Sequence, residues 1–311
     1  MVAMAGANQR PIQWEDLVDE ICSRLTGSET RGLGPLAALP SSSITVSWGP
    51  SVGTIVAAVL RRRLVYLCWG VPRPSKRRYW NQIRFARLRF ILRRASVVLT
   101  NDPVTSQQVS DLVSRSPAQI PYVVDTSYFT PLTEDSDKLV LAPGNNGRDE
   151  ELICSLSDQG IPIVRVTYDK SVREFYLQRA KRTLHPVKLE FGVSFARLRE
   201  LYRRASLVVL PLTAQNHPAG QTSLLEALAC GPSVLLSAGR SASLFADYPG
   251  VHICDSHSLS EWTMVASKIL ASTNDASSSR FGQHQYIRAR HSPRVVGDIL
   301  GPMLEDLITT T

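Results

Sequence analysis

The turn TAQNHPAGQT (213–222) runs straight into SLLEALACG, an apolar segment that carries a single acid, Glu226. A helix opening at such a turn points its first backbone N–H groups at whatever lies beyond it. Gly220, Gln221 and Thr222 therefore make a ready anion site, suited to a phosphate or diphosphate. Glu226, one turn further on, is placed to accept hydrogen bonds from a sugar diol, as acids do for ribose in nucleotide-binding folds. The alternative is that Glu226 does no more than interact favourably with the helix dipole.

Holding these groups in place takes a strand before the turn and another after the helix. LVVLP (207–211) and SVLLS (233–237) supply them, the second after a break at Gly231-Pro232. The same rhythm runs through the chain. In the first half ITVSW (44–48), LVYLC (64–68), SVVLT (96–100) and IPYVV (120–124) alternate with helical patterns at about 51–61, 76–94 and 104–114. In the second half KLVLA (138–142), PIVRV (162–166) and VHICD (251–255) join the two strands above, and helices follow to the end. Continuous apolar runs between helices predict parallel strands buried on both faces, hence two α/β halves. VVDTSYFTPLTEDSD (123–137) reads as the connection between them. In such a protein the ligand sits beyond the carboxyl ends of the strands, in an interdomain cleft.

The bulk properties agree. A chain of 311 residues exceeds a usual single core, and 43% hydrophobic with 20% charged residues is ordinary for a globular protein. Five scattered cysteines without a CxxC pair predict reduced thiols and no zinc site. The N-terminus lacks a signal-peptide pattern, and the most apolar stretch is interrupted at Trp48-Gly49-Pro50, so a cytoplasmic protein without an integral anchor is expected. The net charge of +8 is local: residues 61–94 hold twelve Lys and Arg and no acid, which leaves 8 − 12 = −4 for the rest.

LLEALACGPSVLLS resembles the hallmark run of the GT-B glycosyltransferases, specifically the large retaining family 4 (glycosyl transferases group 1), with Glu226 in place of that family's second Glu. FGVSFARLRELYRRASLVVLPL (191–212) is similar to the family's preceding passage, and VVDTSYFTP (123–131) to its interdomain hinge. The resemblance implies a GT-B fold, two Rossmann-like parallel-sheet domains facing an interdomain cleft, with a nucleotide-sugar donor held mainly by the second. The expected division is an abbreviated acceptor-side domain (1–124), a linker (125–137), the donor domain (138–290) and a C-terminal helix (291–311) able to cross back to the first domain. In PGNNGRDEEL (143–152) the resemblance places Asn145 where an Arg is usual and Arg148 near a usual Lys, with Gly147 between them in the donor loop. Arg148 would neutralise the leaving diphosphate, or else pair with Asp149 or Glu151 on the surface. Pro218 stands where the family has its first Glu, which leaves His217, Gln221 and backbone amides to meet the sugar; His217 is equally well a loop histidine.

The activity implied is transfer of a sugar from a nucleotide-sugar to an acceptor hydroxyl of a small molecule, glycan or lipid-linked molecule, with retention, without metal and with no further cofactor. Catalysis would rest on Arg148 and Glu226. Two alternatives stay open: a weakly active or inactive glycosyltransferase-like scaffold subunit, and a nucleotide-sugar epimerase of similar fold. KRRYWNQIRFARLRFILRR (76–94) carries eight basic residues and no acid. At 100° per residue, Tyr79, Trp80, Ile83, Ala86 and Phe90 share one face and Phe85, Leu88 and Leu92 the opposite one, with Arg77, Arg84, Arg89 and Arg93 on the borders. One face can pack on a sheet. The other suits an anionic membrane surface at the inner face or is simply structural, while nucleic acid fits poorly for want of a stacking platform.

Overall fold

The computed structural model describes residues 10–14, 16–18, 20–21, 44–47, 52–60, 63–72, 78–132, 139–213, 219–272 and 276–309. Contacts divide the chain into two compact units, Ile12–Val123 with Pro293–Thr311 and Val124–Ser292.

The first unit is built on β1 (Ile44–Ser47), β2 (Arg63–Leu67), β3 (Val97–Thr100) and β4 (Ala118–Gln119), parallel and in that order. Its helices are α1 (helical at 14, 16–18, 20 and 21), α2 (Val52–Val59), α3 (Arg78–Arg94) and α4 (Pro103–Val113). Successive side chains of β2 point to opposite faces, so each face acquires its own core. Leu64 and Tyr66 meet Ala57, Leu88, Ile91, Leu92 and Val109 from the helices α2 to α4. Val65 and Leu67 meet Trp14, Leu17 and Ile21 of α1, with Val296, Leu300 and Leu304 of the C-terminal helix. Asp102 starts α4: buried, with Pro103 next, its carboxylate accepts from the Thr105 N–H at 2.9 Å. Asp102→Ala is expected to cost about 1–2 kcal/mol, seen as a lower denaturant midpoint at unchanged slope.

The second unit contains β5 (Leu139–Pro143), α5 (Glu150–Asp158), β6 (Ile163–Thr167), α6 (Lys170–Arg179), β7 (Lys188–Phe191), α7 (Phe195–Arg204), β8 (Ala205–Leu210), α8 (Gln221–Cys230), β9 (Ser233–Ser237), α9 (Arg240–Phe245), β10 (Val251–Cys254), α10 (Leu259–Ala271) and α11 (Ala276–His291). Its six strands are parallel in the order β10-β9-β8-β5-β6-β7. The chain lays β6 and β7 on one side of β5 and β8 to β10 on the other. The direction therefore reverses between β5 and β8, where an open α/β sheet leaves a crevice at its carboxyl edge. β8 is buried along its whole length, which explains its unbroken apolar run. α12 (Pro293–Thr309) closes the chain with the Leu300 and Leu304 contacts of the first unit.

Three sequence expectations need correction. IPYVV is no strand: pairing stops at Gln119, and Ile120 and Val123 are apolar because they fill the first core. β7 was not foreseen, since KLEF at the sheet edge is half exposed and carries no apolar run. Residues 124–132, read as part of a connection, form a packed turn. Asp125 accepts from Ser127 and Tyr128, Phe129 packs edge-on against Tyr202, and Arg199 lies 4.3 Å from the Tyr128 ring centre. Among the described residues no helix is long and apolar enough to cross a membrane. Cys68, Cys154, Cys230 and Cys254 are buried free thiols, and Cys22 lies outside the described residues.

Candidate functional site

α8 is the helix that follows β8, one of the two strands between which the sheet's order reverses. Gly220 stands at its N-cap with φ +77° and offers no capping side chain, so the helix opens on backbone alone. Beside it the loop after β5 is clipped to the loop after β8. Asp149 N–H donates to the Pro211 carbonyl at 2.7 Å, Thr213 N–H to the Gly147 carbonyl at 2.8 Å, and Arg148 bridges Leu212. Gly147, at φ +66°, makes this turn possible.

A pocket of about 340 Å³ lies at this carboxyl edge, lined among others by Gly144, Asn145, Tyr168, Thr222, Ser223 and Glu226. A larger groove of about 650 Å³ lies between α5 and α6. Its acids Glu151 and Asp158 are already paired with Arg179, and it is remote from the reversal point. The chemistry gathers in the smaller pocket.

Glu226 is the acid of that pocket, 6% exposed, and its Oε2 accepts from the Tyr202 hydroxyl at 3.1 Å. Burial raises the carboxyl to about 8, against a smaller downward pull from that hydrogen bond. Burial and the Glu226 charge in turn hold the Tyr202 phenol well above its ordinary value. Further hydrogen-bond donors beside this carboxyl would favour its ionised form.

Arg148 does not pair with Asp149 or Glu151. It is buried and makes no ion pair with any described carboxylate. Its Nε donates to the Pro143 carbonyl at 2.8 Å and Nη1 to the Asn146 carbonyl at 2.9 Å, while Nη2 reaches the Ser223 hydroxyl at 3.4 Å. Burial, with the neighbouring Arg165 cation, lowers it to about 10, so it stays charged at neutral pH. Asp149 instead caps α5 and meets His257 Nδ1 at 3.0 Å. The guanidinium lies behind the wall formed by Gly144 and Ser223 rather than on it. A Cβ at Gly144, φ +101°, would collide with Arg148 Nη2. Arg165 is held by Glu150 at 2.6 Å, a pair that anchors β6 to α5 below the site.

Asn145 lines the pocket, but its Oδ1 accepts from Thr167 Oγ1 at 3.0 Å and Tyr168 N–H at 2.7 Å, so it clamps two loops. Thr222 is exposed at the pocket, whereas the Gln221 side chain is buried and away from its lining. His217 lies outside the described residues, as does Arg77. Arg84, Arg89 and Arg93 are exposed on α3 in the other unit. Sequence reasoning missed Tyr202 and Ser223, which link Glu226 to Arg148. Tyr202 stood inside a quoted family passage, yet its chain distance of 24 residues from Glu226 gave no sign of the contact. No group of three His, Cys, Asp or Glu suited to a metal occurs among the described residues.

These two parallel-sheet α/β units define the GT-B fold. By overall structure the chain is similar to sucrose-phosphate synthase from Thermosynechococcus elongatus (TM-score 0.69, 15% identity, 86% of this chain and 74% of that one). It is also similar to HepE from Anabaena, solved in complex with UDP-glucose (0.66, 16%, 82% and 75%), and to a glycosyltransferase from Rickettsia africae (0.67, 10%, 99% and 85%). No protein-family model and no curated protein matches the sequence.

Proposed function

We propose that the protein is a glycosyltransferase that binds a nucleoside-diphosphate sugar in the pocket of its second unit and passes the sugar to an acceptor hydroxyl with retention and without a metal. The observation that carries this reading is the meeting, at the sheet's reversal point, of a buried ionisable acid with a helix N-terminus backed by a buried cation that pairs with no described carboxylate. The acid suits a ribose diol, and the helix end with Arg148 behind it suits a diphosphate. Tyr168 and Phe195 give the pocket apolar walls for a base. HepE was solved with UDP-glucose, which lends weight to a donor of that class.

In the step proposed, the bond between the sugar's anomeric carbon and the diphosphate oxygen breaks, and the acceptor oxygen bonds on the same face. The acceptor proton passes to the departing phosphate oxygen, so no protein nucleophile is required. Charge growing on the diphosphate is met by the α8 N-terminus and the Arg148 field, and positioning supplies much of the remaining rate.

A thermal-shift panel of UDP, GDP, ADP and TDP and their sugars tests the reading. One nucleotide at about a hundred times its dissociation constant should add about 2.7 kcal/mol of stability. No shift with any of them defeats it. A second reading, a scaffold that binds the nucleotide without turnover, is favoured by one observation: no Lys or Arg lines the pocket among the described residues. Release of nucleoside diphosphate from the stabilising donor distinguishes the two.

A further inference from the structure

α3 displays two opposite faces, and one of them packs into the first unit's core. Leu88, Ile91 and Leu92 are buried in the first unit's core. On the reverse side Tyr79, Ile83, Ala86 and Phe90 recur at helical spacing and are exposed, Tyr79 at 69%, Ile83 at 40% and Phe90 at 37%. At 100° per residue this apolar stripe runs directly opposite the buried one. Arg89 and Arg93 flank it on one side and Arg94 on the other, with the Arg94 guanidinium 5.8 Å from the Phe90 ring centre. α2, packed beside α3, ends in two more exposed apolar side chains, Val59 and Leu60, followed in sequence by three arginines.

We propose that this face of α3 docks the protein on an anionic lipid bilayer, the apolar stripe entering the headgroup boundary while the flanking arginines pair with lipid phosphates. The charge argues for that occupant: twelve Lys and Arg without one acid over residues 61–94, in a chain otherwise net negative. A nucleic acid would be served by the cations alone and gains nothing from an isoleucine and a phenylalanine between them. A second copy docked symmetrically would set this basic face against itself, cation against cation. Long arginine stems lie along apolar surface while their heads reach the phosphates. The inference is independent of the sugar-transfer reading, since it involves another unit and other residues.

The test is co-sedimentation of the full chain with vesicles of phosphatidylcholine alone and of phosphatidylcholine with phosphatidylglycerol. Binding is expected to the anionic vesicles only and to fall as salt rises. Arg89→Gln with Arg93→Gln should weaken it roughly twenty-five-fold, two steps of about fivefold each. Ile83→Asp with Phe90→Asp should abolish it although all arginines remain. Both pairs lie on the surface, so unchanged melting curves confirm that each variant is folded. Absence of wild-type binding, equal binding to neutral vesicles, or binding indifferent to the Ile83 and Phe90 changes would overturn the proposal. So would capture of single-stranded RNA that competes vesicles away and ignores those two changes, which marks a nucleic-acid surface. Self-association lost in the Ile83 and Phe90 variant, without vesicle binding, would mark a dimer face and equally refute it.

Discussion

Glu226→Gln should weaken nucleotide binding roughly ten- to hundredfold while making the unliganded protein more stable at pH 7. The two halves of this result share one cause. The carboxyl is buried with a single hydroxyl donor, and burial raises it to about 8. Between about pH 4.5 and 8 the unfolded chain releases this proton and the folded chain keeps it, so Glu226 lowers stability progressively across that window and by a constant amount above it. A neutral amide removes that penalty. It also forfeits charge-assisted hydrogen bonds from the ligand's diol, worth about 1.5–3 kcal/mol each. The sign for binding follows. A ligand that donates to the ionised acid draws its proton off, so wild-type affinity should rise about tenfold per pH unit below 8 and level off above it, with proton release measurable by calorimetry in two buffers. In Glu226→Gln the pH dependence should vanish. Affinity that falls as pH rises through 8 would mean the protonated acid donates to the ligand, and the diol assignment would be wrong.

The second large effect concerns the cation. Arg148→Met should lower kcat about thirtyfold with a smaller change in binding of the nucleoside monophosphate. Removing a preorganised group at a developing anion costs about 2.7–4 kcal/mol when it touches the charge. Arg148 acts from behind Gly144 and Ser223, so about 2 kcal/mol is the reasonable figure. Gly144→Ala provides an independent route to the same result. The added methyl, at a φ of +101°, must drive the guanidinium out of its seat without removing the charge from the protein. If Gly144→Ala retains full activity while Arg148→Met loses it, the position of the charge is unimportant and the electrostatic account fails. Discrimination between diphosphate and monophosphate should narrow in both variants.

Parts of the fold and of the candidate site were legible in the chain, and the reasons are physical. Central strands such as β8 are buried on both faces, so their apolar runs announce them, and the turn before α8 is marked by Gly220 at a position that demands φ above zero. Glu226 stood out because an acid in an apolar helix start is costly unless it has a task. The edge strand β7 and the two-residue β4 carried no such run. The turn at 125–132 was hidden because Asp125 satisfies its backbone locally, through Ser127 and Tyr128, in a segment whose composition suggests a loop. The Glu226–Tyr202 and Arg148–Ser223 contacts were beyond sequence reasoning, for they join residues 24 and 75 apart through the fold alone. The fate of Arg148 shows the same limit: its neighbours in sequence are acids, yet it bonds to main-chain carbonyls.

That last arrangement has a bearing on how the molecule can change over generations. A cation fastened to Pro143 and Asn146 carbonyls depends on the path of the backbone rather than on the identity of surrounding side chains. Substitutions at exposed positions of the pocket, Thr222 among them, can therefore accumulate without dislodging the charge. Only a glycine that admits the guanidinium, such as Gly144, is tightly constrained. On the proposed reading, donor preference is free to drift while the charge behind the leaving group is inherited intact, and a designer seeking a new sugar specificity should vary the rim and leave residues 143–148 untouched.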